Sequence, residues 1–454
     1  MSQPAVAPNA LSAVEAADKI RKGSLTSVDL VKSCLARIDE TEGQVHAWAH
    51  IDADHALAQA EEMDTIRRSG RPLGPLHGIP VGLKDIIDTS DFPTERGTSI
   101  FAGRKPDNDA AIVERLREAG AVIMGKTVTT EFAFVHPAET RNPHNTEYSP
   151  GGSSSGSAAA VAAFNVPLAI GTQTNGSVIR PASFCGTFGF KPTRGVISRR
   201  GILQTSESLD QVGVFGRTLE DVALLTDVIG GYDPSDPLSY SRPRPQMRAG
   251  STAEIGVEPD LVWFEAPYND SLTDDARSGL DEVVNTLGAR VERVTISENM
   301  YNLVDVQRII HEYEICKHLD KEFTEYWDQL STSLQPIVER GRQISDAQYE
   351  DALEVMASGR TYFDEFFHDY DAIIAPSAAG EAPKFGNGTG DPVFCTIWTL
   401  VGLPSLNLPF LVGSNGLPVG VQLIGSIEED ARLLRTANWM INTLQSDNDQ
   451  KRRK

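Results

Sequence analysis

Apolar positions along the first seventy residues recur at helical spacing. Leu11 to Lys22 carries such a stripe and stops at Gly23. Thr26 then opens a second helix, with Asp29 three residues on as a weaker form of the capping box, and Leu30, Val31, Cys34, Leu35 and Ile38 supply its apolar face. Asp52 to Arg68, rich in Ala, Glu and Met, predicts a third helix. The pattern changes at Pro72. From there to Ile229 short β-branched runs alternate with glycine turns and short helices. Strands are expected over 79–87, 121–125, 166–170 and 212–215, and helices over 110–119, 158–164 and 218–229. Such alternation points to a largely parallel sheet with helices on both faces.

Asp233 to Gly250 is rich in Pro, Ser and Arg and reads as a connector. Beyond it, 274–369 reads as helical, broken once by a strand-like stretch at 289–296, and is dense in aromatics. The sheet pattern returns at 372–375, 406–410 and 419–424. The expected organisation is one domain over 1–454, with N-terminal helices in 1–71, a catalytic core in 72–232, a mainly helical substrate-side insertion in 233–370, and the C-terminal part of the sheet in 371–445. The sheet is thus drawn from both ends of the chain.

Composition narrows the function. The chain has 41 basic and 63 acidic residues, a formal charge of −22, which repels phosphate backbones and anionic lipid. The one dense basic run, Lys451-Arg452-Arg453-Lys454, reads as a solvated tail, so no nucleic-acid partner is expected. Cys34, Cys185, Cys316 and Cys395 form no CxxC pair, and the nine histidines show no metal spacing, so neither a metal nor a cofactor is expected. Residues 1–10 lack a basic stretch followed by an apolar one, and no apolar run is long enough to span a membrane. The expectation is a cytoplasmic protein with a small-molecule partner; a homo-oligomer is left open.

Three stretches carry candidate chemistry. Pro150-Gly151-Gly152-Ser153-Ser154-Ser155-Gly156-Ser157 runs into an alanine-rich helix. Alone it fits a flexible linker, but a helix and a buried strand follow directly; it also fits a phosphate loop, but lacks a Gly-Lys-Ser/Thr ending. Gly171-Thr172-Gln173-Thr174-Asn175-Gly176-Ser177 takes a strand into a tight turn. Such a turn can hold a nucleophile among inward-pointing N–H groups, as acyl transfer needs. It has no G-x-S-x-G elbow. Third is His77-Gly78-Ile79-Pro80-Val81-Gly82-Leu83-Lys84-Asp85. A lysine ending an apolar strand is ordinarily a surface residue, and spacing alone leaves that reading open.

Together with Phe184-Cys185-Gly186, Phe190-Lys191-Pro192-Thr193, Gly402-Leu403-Pro404 and the stretch from Gly416 to Leu423, these motifs strongly resemble the amidase signature family, over about 11–229 and 372–434. The resemblance implies a three-layer α/β/α fold around a large mixed sheet, with no cofactor. It places the family's lysine on Lys84, the serine that follows a cis peptide bond on Ser153, and the nucleophile on Ser177, with the backbone N–H groups of Thr174, Asn175, Gly176 and Ser177 as oxyanion donors. These roles are chemically coherent: a lysine can act as base only when neutral, which burial favours, and a relay serine can return the proton to a leaving nitrogen.

The chain departs from the family's commonest turn, Asp-Thr-Gly-Gly-Ser-Ile-Arg. Gln173 stands at the acidic position, Ile179 at the basic one, and Arg180 one place later. Joint loss of both charges is coherent, because a buried charge without its partner is costly. Ser155, where glycine is usual, reads as a turn variant. The expected activity is hydrolysis of small to medium, apolar amides, anilides or carbamates. Tyr326, Trp327, Tyr362 and Phe363 of the insertion are expected to shape the pocket. Alternatives are a urethanase, the glutaminase subunit of a tRNA-dependent amidotransferase, and a catalytically silent binding protein.

Overall fold

The computed structural model describes residues 6–243 and 246–453, with the side chains at 298, 299 and 447–453 outside the description. The tail 451–454 and the first five residues therefore lie outside the described side chains, as do two residues of the connector.

The N-terminal helices begin and end where their caps dictate. Ala13–Lys22 starts at Ser12, whose hydroxyl accepts from Glu15 N–H while the Glu15 carboxylate answers the Ser12 N–H, and it ends at Gly23 in the left-handed conformation (φ 76°). Thr26 and Asp52 cap Ser27–Val45 and Ala53–Arg68 by accepting from Asp29 and His55 N–H, without the reciprocal bond.

A single sheet of eleven strands organises the molecule. The strands are β1 (Trp48–Ile51), β2 (Pro80–Lys84), β3 (Val122–Thr127), β4 (Leu168–Gln173), β5 (Phe188–Lys191), β6 (Gln211–Gly216), β7 (Leu261–Glu265), β8 (Val291–Thr295), β9 (Ala372–Pro376), β10 (Ser405–Val412) and β11 (Pro418–Ile424). Their spatial order is β1-β3-β2-β4-β6-β5-β10-β11-β9-β7-β8. Pairs β3–β2, β2–β4, β9–β7 and β7–β8 are parallel and the rest antiparallel, so the sheet is mixed. Every residue of β2, β3, β4, β6 and β9 is buried. Successive side chains point to opposite faces, so helices must cover both, which gives the α/β/α layering.

The two ends of the chain meet at β5–β10, where Lys191 pairs with Ser405. Segment 233–370 is mainly helical and also contributes two strands to the sheet. Its apolar run from Leu261 to Phe264 forms β7, which pairs with β9 at Leu261–Ala372 and carries β8 at the sheet's edge. The segment's aromatics follow from this. Phe264, Phe363, Phe367 and Trp398 pack with Leu303 and Ile397 as a second apolar core on that part of the sheet.

Candidate active site

Lys84 is the last residue of β2 and is wholly buried. Its Nζ lies 2.7 Å from Ser153 Oγ and 2.8 Å from Thr172 Oγ1. Burial holds its pKa down to about 7; the one opposing influence is the more distant Asp210 carboxylate. The surface-lysine reading is therefore excluded by the fold, since the strand end sits under the glycine-serine stretch.

That stretch is held from several sides. The Gly152–Ser153 peptide bond is cis. Ser153 carbonyl accepts from Thr129 Oγ1 and Thr130 N–H, Gly152 carbonyl from Arg180 Nη2 (2.7 Å), and Gly151 carbonyl from Ser155 Oγ (2.7 Å). Gly151 has φ 82°, and a Cβ there would stand 2.9 Å from Pro181 Cα, so only glycine fits. Ser154 Oγ donates to Thr172 carbonyl (3.2 Å), tying the stretch to the end of β4. Ser155 opens the helix Ser155–Ala162, as a turn variant would.

The turn after β4 is equally fixed. Gln173 Oε1 accepts from Val178 and Ile179 N–H at 2.8 and 3.0 Å, while its Nε2 donates to Thr399 Oγ1. A neutral amide thus caps the helix Ile179–Cys185, as a carboxylate would, and needs no cationic partner. Thr174 Oγ1 donates to Asp210, Asn175 Nδ2 to Gln307 Oε1, and Thr396 Oγ1 to Asn175 Oδ1. With the side chains so occupied, the backbone N–H groups of Asn175, Gly176 and Ser177 donate to no other described residue. Unengaged N–H groups held in a rigid turn are what an oxyanion hole consists of.

Ser177 is half-buried on the wall of a cavity of about 500 Å³, lined also by Asn175, Gly176, Arg180, Gln307, His311 and Thr396. The structure joins Lys84 to Ser153 by a hydrogen bond, whereas the Ser177 hydroxyl has no partner among the described residues. Lys84 and the glycine-serine stretch are nonetheless both tied to the segment bearing Ser177, Lys84 through Thr172 and the stretch through the Arg180 bond to Gly152, the residue before Ser153.

The four insertion aromatics do not line this cavity. Phe363 is fully buried edge-on to Trp398, and Tyr362 stacks on Phe366 at the surface. Trp327 lies under Arg342, and Tyr326 is exposed beside it. Phe363 is thus consumed by core packing, while Tyr326 and Tyr362 face solvent away from the cavity lining. The insertion reaches the cavity instead through Tyr301, through Ile337 and Arg340 of the helix Gln335–Gly341, and above all through the helix Leu303–His318, whose Val304, Gln307, Arg308, His311 and Glu312 fall on one face at helical spacing. His311 is buried against Phe134, its Nε2 has no partner, and burial holds its pKa down to about 3, so the ring is neutral. The i, i+3, i+4 repeat was visible in the sequence, but a polar repeat on a helix does not say which cavity it faces.

Among the described residues no group of His, Cys, Asp or Glu gathers as metal ligands would, and no helix is long and apolar enough to cross a membrane.

The chain matches the family model described as Amidase over residues 29–434. It is 36% identical over 455 residues to a glutamyl-tRNA(Gln) amidotransferase subunit of Chloroflexus aggregans, covering 92% of this chain and 93% of that protein. Among solved structures it is similar to one described in connection with a vestigial protein complex and the origins of an s-triazine catabolic enzyme, at 30% identity and TM-score 0.89, covering 96% of this chain and 98% of that one. It is also similar to the native peptide amidase of Stenotrophomonas maltophilia, at 28% identity and TM-score 0.82, covering 95% and 96%. A family match across most of the chain, on the fold and motifs described above, makes this protein a member of the amidase signature family.

Proposed function

We propose that the chain hydrolyses carbon–nitrogen acyl bonds with Ser177 as nucleophile, Ser153 as proton relay and Lys84 as general base. The observation that carries this is the buried Lys84, its pKa held down to about 7, hydrogen-bonded to Ser153 beneath a turn with unengaged N–H groups. Neutral Lys84 draws the Ser153 proton, and Ser153 draws that of Ser177 as Ser177 attacks the substrate carbonyl. The N–H groups of the 174–177 turn receive the oxyanion. Ser153 then protonates the leaving nitrogen, and water releases the acyl group from Ser177 by the same route in reverse. Amides, anilides and carbamates all suit this sequence. The cavity mixes apolar side chains such as Phe134 and Ile337 with charged ones, so it does not support a purely apolar substrate.

A fluorophosphonate is expected to label the native protein at Ser177, read by peptide mapping; reaction elsewhere, or none, would overturn the assignment and favour a silent binding protein. Ser153→Ala is expected to slow amide hydrolysis by roughly 10²–10⁴-fold but hydrolysis of a matched activated ester far less, because a good leaving group needs no proton. Equal losses on both would remove Ser153 from the proton path.

The second reading, a glutaminase subunit of a tRNA-dependent amidotransferase, is favoured by the curated relatives such as the Chloroflexus aggregans protein. Against it stands the altered turn with Gln173 and Ile179. Ammonia release from glutamine, compared with amine release from aryl amides and aryl carbamates, separates the two readings.

A further inference from the structure

Arg180 occupies the place where the turn departs from its family's pattern, and its surroundings are unusual. The residue is only 6% exposed. Nη2 is used structurally, donating to Gly152 carbonyl (2.7 Å) and Thr389 Oγ1 (3.3 Å). Nη1 and Nε are buried and have no hydrogen-bond partner. A Cβ built on Gly176 would lie 3.4 Å from Nη1, so this open donor of the guanidinium stands against the turn that carries Ser177, and Arg180 lines the same cavity.

The guanidinium also has no ion-pair partner among the described residues. The cavity's other charges are mostly spent on each other: Glu312 pairs with Arg340 and Arg308, and Asp305 with Arg308. Asp391 favours the Arg180 charge from farther off, but is exposed and forms no ion pair with it. Burial lowers the pKa of Arg180 only to about 10, so it remains a cation at neutral pH. A buried cation with unmade hydrogen bonds is costly, and a charge-assisted N–H···O bond from Nη1 to a carboxylate oxygen both makes one of them and neutralises the charge.

We infer that Arg180 is a substrate-binding residue that anchors a carboxylate on the substrate, close to the amide carbonyl attacked by Ser177. The preferred substrates are then amides of short carboxylate-bearing acids or amines. This deepens the amide-hydrolase reading and rests on it. Substrate binding would complete the donors Arg180 leaves open, and the charge that selects the substrate would sit beside the reacting bond.

Calorimetry with malonate, succinate and glutarate, each against its diamide at matched ionic strength, tests this without any turnover. The native protein is expected to bind at least one diacid tenfold or more tighter than the corresponding diamide. Arg180→Gln is expected to lose that preference, and Arg180→Lys, which keeps the charge but not the planar set of donors that also holds Gly152, to lose at least part of it. A native protein that binds diacids no better than diamides overturns the inference whatever the variants do. So does a folded Arg180→Gln that keeps the preference. Labelling of Ser177 by a neutral fluorophosphonate is scored separately: anion binding lost in Arg180→Gln supports the site even if Ser177 proves inert, and a reactive Ser177 does not rescue a missing anion site.

Discussion

Lys84→Arg is expected to lower kcat/KM for amide hydrolysis by roughly 10²–10⁴-fold, the range general-base catalysis contributes. Arginine keeps a positive charge but does not surrender its proton at working pH. Lys84 does so because nothing near it compensates for burial: its two contacts are hydroxyls, Ser153 and Thr172. With its pKa held down to about 7, the active, uncharged form predominates above neutrality. Below that value kcat/KM should fall tenfold per pH unit, and above it the profile should level off. Lys84→Ala should be similarly impaired. The comparison that decides is the native profile beside that of Lys84→Arg. An arginine variant with near-native activity and the same pH dependence would mean that another group is the base.

Ser177→Ala should cost more, on the order of 10⁴–10⁶ in kcat, as removal of a nucleophile does when the remaining groups act as a unit. The fold should be indifferent. The hydroxyl makes no hydrogen bond among the described residues, and the change removes one atom from a cavity wall. Ligand binding should therefore survive in the variant, leaving a residual rate set by the oxyanion donors. Turnover measured beside ligand affinity checks both halves: retained turnover would place the nucleophile elsewhere, and lost affinity would show that Ser177 props up the turn.

Long periodic segments and capped helices were legible from the sequence, because Ser12, Thr26 and Asp52 announce their own helix starts. The four- and five-residue strands β1, β5 and β7 were not. Trp48–Ile51 is too short for alternation to register, and its place is decided by pairing with β3. Lys84, Ser153 and Ser177 were singled out through motif resemblance; spacing alone could not have distinguished Lys84 from a surface lysine. The role of Gln173 as a neutral helix cap, and the open donors of Arg180, depend on which atoms meet in space and leave no mark in the local sequence. The aromatics misled for a related reason. Density of large apolar side chains predicts burial, and Phe363 is buried, but in a core and not in a pocket.

Lys84 is not the only amine the sheet encloses. Lys126 sits in β3 beside Asp85, and Lys191 at the end of β5 donates to Gln211 Oε1 and Leu403 carbonyl, both at 2.6 Å. Burial lowers the pKa of Lys126 to about 8 and that of Lys191 to about 7. In the unfolded chain all three titrate near pH ~10.4. Between about pH 7 and 8 the unfolded chain therefore holds protons that the folded one has released, and folding becomes a proton-releasing reaction. Because the unfolded state binds more protons, stability should rise with pH across that interval. The buried thiols act in the opposite sense, since burial raises their pKa, but unfolded cysteines ionise mainly above pH ~8.5 and weigh little below it. Unfolding free energy followed from pH 7 to 8 should show a positive slope, amounting to about one to two protons. A flat or falling slope would mean that these lysines stay charged inside the sheet, and the base on which Ser177 depends would then be missing. The burial that lowers the pKa of Lys84 is thus shared with two lysines outside the proposed triad, and it ties the protein's tolerance of mild acid to the same enclosed amines.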